Sequence, residues 1–169
     1  MSAAQETASK DLVVGLGATG LSIARHLRRA DIDAMFFDSR EQPPGIEELE
    51  KVWPDAELLL GDAKLPAGVA RIITSPGVAD SHPLLKSARK HRVEIVSDIE
   101  LFAREAKAPF VAVTGSNGKS TVTTLLYHMC VADGRETLAG GNLGEPALDL
   151  LDHPTPQIYV LELSSFQLQ

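Results

Sequence analysis

One stretch constrains this chain more than any other: PFVAVTGSNGKSTVTTLLYHM, residues 109–129. Phe110, Val111 and Val113 make a short apolar run of β character, which Thr114-Gly115-Ser116-Asn117-Gly118 interrupts. Past Lys119, Ser120 and Thr121, the residues Val122, Leu125, Leu126, Met129 and Cys130 recur at helical spacing. That spacing predicts an amphipathic helix with those residues on its buried face. Strand, glycine loop and helix in this order form the setting of a phosphate-binding loop. Gly115 and Gly118 let backbone N–H groups converge at the helix N-terminus, whose partial positive charge suits polyphosphate. Lys119 adds a full cation for terminal phosphates, and the Ser120 hydroxyl is placed to ligate Mg²⁺. Only Ser116 and Asn117 separate the glycines, where the usual loop has four residues. The bare pattern is therefore also compatible with a plain tight turn.

Upstream lies a second glycine motif. Leu12-Val13-Val14 reads as a strand, and Gly15, Gly17 and Gly20 then form a G-x-G-x-x-G turn into a helix carrying Ile23, Ala24, Leu27 and Ala30 on one face. A second strand, within 33–40, ends in Asp38. This is the layout of a dinucleotide-type fold, with an acidic residue at the end of the second strand. A glycine turn that merely packs helix on strand fits the same residues.

The rest of the chain alternates. A helix is expected over 45–52, short strands over 57–61 and 70–77, and a helix over 81–92 capped by Ser81. A strand over 93–97 and a helix over 98–106 capped by Asp98 follow. Ser75-Pro76-Gly77 breaks one strand at its carboxyl end, where open parallel sheets place ligands. Lys107-Ala108-Pro109 reads as the domain boundary, giving a disordered N-terminus (1–10), a first domain (11–106) and a second (107–169). Residues 136–151 predict a strand, a glycine turn with Asn142 and a short helix. Ile158-Tyr159-Val160-Leu161 predicts a strand buried on both faces, ending in Glu162. A carboxylate there is where a phosphate-loop enzyme places an acidic Mg²⁺ partner, though exposed strand-end glutamates are common. Alternating strands and helices imply parallel sheets covered on two sides: a Rossmann-like α/β domain, then the first part of a P-loop ATPase α/β domain.

Composition narrows the classes. A net charge of −7 argues against a nucleic-acid partner held by a broad basic field. With 44% hydrophobic and 23% charged residues the 169-residue chain has a globular balance. The single Cys130 excludes an internal disulfide, and its place on the apolar helix face predicts a packing role. The polar start has no signal-peptide pattern and no apolar run reaches membrane-spanning length, so a cytoplasmic protein with no membrane partner is expected. The five histidines, His26, His82, His91, His128 and His153, fall singly and receive no role.

The stretches GLGATGLS (15–22), FDSR (37–40), SPGV (75–78), SDIELF (97–102), VTGSNGKSTVTTL (113–125), GGNLGEPAL (140–148) and YVLELSSFQL (159–168) resemble the Mur ligase family, in the family's order. The two-residue gap between glycines is normal for that family. The resemblance implies an ATP- and Mg²⁺-dependent, amide-forming ligase of peptidoglycan precursor synthesis, with UDP-N-acetylmuramoyl-L-alanine and D-glutamate as substrates. It implies that Ala18 and Thr19 meet the diphosphate, that Asp38 and Arg40 stand at the uridine end, and that Gly77 lines the same crevice. Gly115, Ser116, Asn117, Gly118, Lys119, Ser120 and Thr121 would hold ATP, with Ser120 and Glu162 on Mg²⁺. Lys119 and Glu162 would be catalytic, and Asn142, Ser164 and Gln167 would contact substrate. Family members are expected to be monomeric and to continue past the point where this sequence stops, so an amino-terminal fragment inactive alone is expected. Two other classes stay open: a non-catalytic UDP-sugar-binding module, and an NAD-dependent oxidoreductase resting on the first glycine motif and Asp38.

Overall fold

The computed structural model describes residues 9–62 and 64–168. They form two compact units that part between Val96 and Ser97. In the first unit the elements are β1 (Lys10–Val14), α1 (Ala18–Arg29), β2 (Ala34–Asp38), α2 (Ile46–Val52), β3 (Glu57–Leu60), β4 (Val69–Thr74), α3 (Pro83–Lys90) and β5 (Glu94–Ser97). The disorder expected for 1–10 concerns residues that, up to residue 8, lie outside the described ones. Lys10 is ordered in β1, and its N–H donates to the Gly68 carbonyl.

The sheet order is β3-β2-β1-β4-β5, with β1 parallel to both β2 and β4. Leu12, Val13, Val14, Phe36 and Phe37 are all buried, because a strand covered on both faces has no side for polar residues. Leu12, Val14, Met35, Phe37 and Ile72 form one core with Leu84, Leu85 and Ala88 of α3. The pleat turns Val13, Phe36 and Ile73 to the opposite face, and α1 buries Ile23, Ala24 and Leu27. The chain runs outward from β1 through β2 to β3, then returns to lay β4 on the other side of β1. That reversal opens a crevice at the carboxyl ends of β1 and β4, as doubly wound sheets do.

The second unit holds α4 (Asp98–Glu105), β6 (Phe110–Val113), α5 (Lys119–Ala132), β7 (Thr137–Gly141), a 3-10 helix (Ala147–Asp152), β8 (Ile158–Glu162) and a 3-10 turn (Ser165–Leu168). Its three strands are parallel in the order β6-β8-β7. Central β8 is buried at Tyr159, Val160 and Leu161, as its apolar run predicts.

Several expectations are corrected here. The unit break precedes α4 instead of falling at 107, because Phe102 of α4 stands edge-on to Phe110 and Tyr159 at 5.7 and 5.1 Å. α4 is capped by Ser97, whose Oγ accepts from the Glu100 N–H at 3.1 Å, not by Asp98. α3 is capped by His82 and not Ser81, because Pro83 occupies the first helical turn and fixes its start. On α5 the side taken as buried is the open one: Val122, Leu125 and Met129 are 51%, 58% and 59% exposed, and Thr123 is buried instead. Cys130 is half-buried.

Candidate functional site

The crevice of the first unit is a cavity of about 370 Å³. Ala18, Thr19, Asp38, Arg40 and Gly77, the five sequence-predicted residues of this unit, all line it. Gly17 is the N-cap of α1 and makes no side-chain cap, so the first N–H groups of that helix are without a side-chain partner from the cap. Gly17 and Gly77 line it, and a Cβ on either would meet nothing within 4 Å. The Ser75 hydroxyl donates to the Gly15 carbonyl at 3.1 Å and ties the two rims together.

Asp38 is buried, yet its carboxylate is fully engaged. Oδ1 accepts from the Arg40 N–H at 2.9 Å and from Arg40 Nε at 2.8 Å. Oδ2 accepts from the Leu16 N–H at 2.8 Å and from Arg40 Nη2 at 2.7 Å. Burial would raise the carboxyl pKa, but the Arg40 side chain, the Arg40 N–H and the Leu16 N–H outweigh it and hold it at about 2. The side-chain hydrogen bonds to Asp38 and its charge in turn push the Arg40 guanidinium pKa up. With both oxygens doubly engaged, Asp38 braces Arg40 and the first glycine turn, and has no lone pair left for a ribose hydroxyl. The sequence motif shows an acidic residue here but not that the chain's own Leu16 and Arg40 satisfy it.

In the second unit, strand register gathers the site. Val113, the last residue of β6 before the glycine loop, pairs with Glu162, and Gly141 pairs with Glu162 from the other side. The loop, Asn142 and Glu162 therefore meet at one end of the sheet. Gly118 caps α5 with φ 75°, a conformation that favours glycine, and leaves the helix start without a side-chain cap. Gly115, Ser116, Asn117, Ser120 and Thr121 are exposed, and the half-buried Lys119 donates from Nζ to the Gly115 carbonyl at 2.9 Å. Asn142 donates from Nδ2 to Glu162 Oε1 at 3.0 Å, and its N–H donates to the Glu162 carbonyl at 2.8 Å. Glu162 is 3% exposed, and its Oε2 is buried without a hydrogen-bond partner. A lone carboxylate oxygen in that state is costly unless something cationic meets it. Among the described residues no three His, Cys, Asp or Glu side chains cluster. A cation here would take Glu162 and Ser120, with phosphate and water oxygens completing its shell, which suits Mg²⁺.

Gln167 does not reach outward. Its Oε1 accepts from the Ser164 N–H at 2.9 Å, and its Nε2 donates to Asp98 Oδ2 at 3.2 Å. It acts as a bracket behind Ser164, which itself is half-buried. Asp98 is buried with Oδ1 unpartnered. Burial pushes its carboxyl up to about 6, against the Gln167 and Ile99 hydrogen bonds, which favour the charged form. An unfolded Asp titrates near about 4. Across that window the folded chain keeps a proton the unfolded chain has released, so stability falls as pH rises. Asp98→Asn removes this dependence. In urea unfolding, the variant's advantage over wild type should widen by roughly 2–3 kcal/mol from about pH 4 to about pH 7. A difference independent of pH would contradict the buried, protonated carboxyl.

His82 also lines the cavity, although sequence reasoning gives it no role. A histidine in a loop has no spacing signal, and only the fold brings it to the crevice.

Comparison with known proteins extends these observations. The model of the Mur ligase MurD-like N-terminal domain matches residues 9–97. The chain is 51% identical over 166 residues to UDP-N-acetylmuramoylalanine–D-glutamate ligase of Nitrosococcus oceani, covering 97% of this chain and 37% of the relative. It is 48% identical over 160 residues to the ligase of the same name in Pseudomonas aeruginosa, covering 94% and 36%. The chain thus spans little more than a third of the curated relatives it matches. Among solved structures, UDP-N-acetylmuramate-alanine ligase from Thermotoga maritima superposes with a TM-score of 0.54 at 23% identity, over 92% of this chain and 37% of that one. At that identity the likeness is one of fold.

Proposed function

We propose, from the premise that the chain belongs to the Mur ligase family through its MurD-like N-terminal domain, that it forms the UDP-binding and phosphate-binding part of a D-glutamate-adding ligase. The observation that carries this reading is the unpartnered, buried Oε2 of Glu162 set in register with the start of the glycine loop. A dehydrogenase has no use for such a second phosphate loop, and the engaged Asp38 cannot hold a ribose hydroxyl.

In this reading the first unit takes UDP-N-acetylmuramoyl-L-alanine. The N–H groups at Ala18 and Thr19 meet the diphosphate, while Arg40, braced by Asp38, and Gly77 flank the uridine. In the second unit the amides of Gly115 to Thr121 cradle ATP, and Lys119 exchanges the Gly115 carbonyl for the terminal phosphates. Ser120 and Glu162 would hold Mg²⁺, and Asn142 keeps the Glu162 carboxylate aimed. Mg²⁺, when bound, neutralises charge on the transferring phosphoryl group. The γ-phosphoryl group passes to the alanine carboxylate, releasing ADP and giving an acyl phosphate. The amine of D-glutamate then attacks the acyl carbon, the C–N bond forms and phosphate leaves with the former carboxylate oxygen. Positioning and charge neutralisation supply most of the acceleration. Such chemistry belongs in the cytoplasm, where ATP is, and no described helix is long and apolar enough to cross a membrane.

The test is a chimera in which this chain replaces the matching segment of the Nitrosococcus oceani ligase. D-glutamate-dependent phosphate release within about tenfold of an ordinary turnover, on the order of 10 s⁻¹, is expected. A folded chimera that releases no phosphate in response to D-glutamate would refute the reading.

A further inference from the structure

We propose that His82 is a specificity-determining residue of the first unit, reading the pyrimidine base of the bound nucleoside diphosphate. The inference rests on the UDP reading above and deepens it. His82 lines the cavity with its ring edge-on to Phe37, centroids 5.5 Å apart. Phe37 is the penultimate residue of β2, so the ring stands at the carboxyl end of that strand and lines the same cavity as Asp38 and Arg40. A base seated at this end of the cavity meets His82.

The ring's protonation pattern follows from its second role. Nδ1 accepts the Leu84 N–H at 3.3 Å as the N-cap of α3. In a neutral imidazole with Nδ1 accepting, the ring proton lies on Nε2. The helix cap thus fixes the tautomer and leaves Nε2–H as a hydrogen-bond donor on a ring that lines the cavity. Pro83 and the buried Leu84 and Leu85 anchor the first turn behind it, so the donor's place is set by the fold and not by the ligand. Uracil presents carbonyl acceptors at both C2 and C4. Cytosine replaces the C4 carbonyl with an amino group, a donor. A fixed Nε2–H directed at C4 accepts uracil and opposes cytosine, because two donors facing each other leave both unpaired in a desolvated site.

Two substitutions separate the cap from the base contact. Asn places an acceptor near the Nδ1 position and is among the best N-caps, but does not reach the Nε2 position. Gln places an amide N–H near the Nε2 position but loses the local cap. Calorimetric titration of the 169-residue chain with UDP and with CDP, paired with thermal unfolding, reads both. Wild type should prefer UDP. His82→Asn should unfold as wild type does, bind UDP about three- to tenfold more weakly and lose the preference over CDP. His82→Gln should unfold at a lower temperature and keep the preference. Asn binding UDP with wild-type affinity and preference would overturn the role of His82 while leaving UDP binding intact. Equal wild-type affinity for UDP and CDP would do the same. Failure of wild type to bind UDP at all would overturn the proposed function together with this inference.

Discussion

Gly20→Ala is expected to destabilise the first unit by about 2–3 kcal/mol, although alanine is the better helix former. A Cβ at Gly20 would lie 1.9 Å from the Gly15 carbonyl oxygen and 2.9 Å from its carbon. Both atoms are backbone, so the strain cannot be relieved by turning a side chain, and α1 must lift from the glycine turn. Helix propensity alone would favour alanine by about 1 kcal/mol, while overpacking costs about 1–3 kcal/mol and occasionally more, and a clash with backbone lies at the upper end. A net loss therefore isolates the close approach of helix to strand. The control is Gly17→Ala, whose Cβ meets nothing within 4 Å and whose φ of −96° any residue adopts. Its stability should stay within about 0.5 kcal/mol of wild type. Urea unfolding of both variants decides the matter. Equal stability of Gly20→Ala and wild type would show that the helix does not sit against Gly15 as described.

Lys119→Ala should lower phosphate release by the chimera on the order of 10²–10³-fold, the usual effect of removing one charge-stabilising donor from a transfer site. Lys119 is half-buried, and its Nζ donates to the Gly115 carbonyl in the exposed loop. Unfolding temperature and UDP affinity should therefore hardly change. Cys130→Ala should leave the rate near wild type, since Cys130 lies later on α5, away from the loop. A Lys119→Ala chimera at wild-type rate would show that the loop does not hold the transferring phosphates.

What was legible in the sequence was local. The G-x-G-x-x-G turn and the run from Phe110 to Thr121 carry their own strand, turn and helix signals, and the structure has those elements. The burial of β8 followed from four consecutive apolar residues. Other features depend on partners distant in sequence. The periodicity of Val122, Leu125 and Met129 finds an apolar stripe, but α5 is apolar on more than one side and turns Thr123 inward. α4 joins the second unit through Phe102 and Tyr159, a contact no local pattern encodes. Asp38 and Gln167 were visible as polar residues in the right places. That Leu16, Arg40, Ser164 and Asp98 already hydrogen-bond with them is a property of the fold that no local pattern encodes.

The central claim is that the crevice between β1 and β4 is a uridine diphosphate site despite its dinucleotide-type glycine motif. Separate titrations of the 169-residue chain with UDP and with NADH test it most directly. Saturable UDP binding that NADH does not displace is the predicted result, because Asp38 is engaged by Leu16 and Arg40 and offers nothing to a nicotinamide dinucleotide's ribose. Saturable NADH binding with no response to UDP would contradict it.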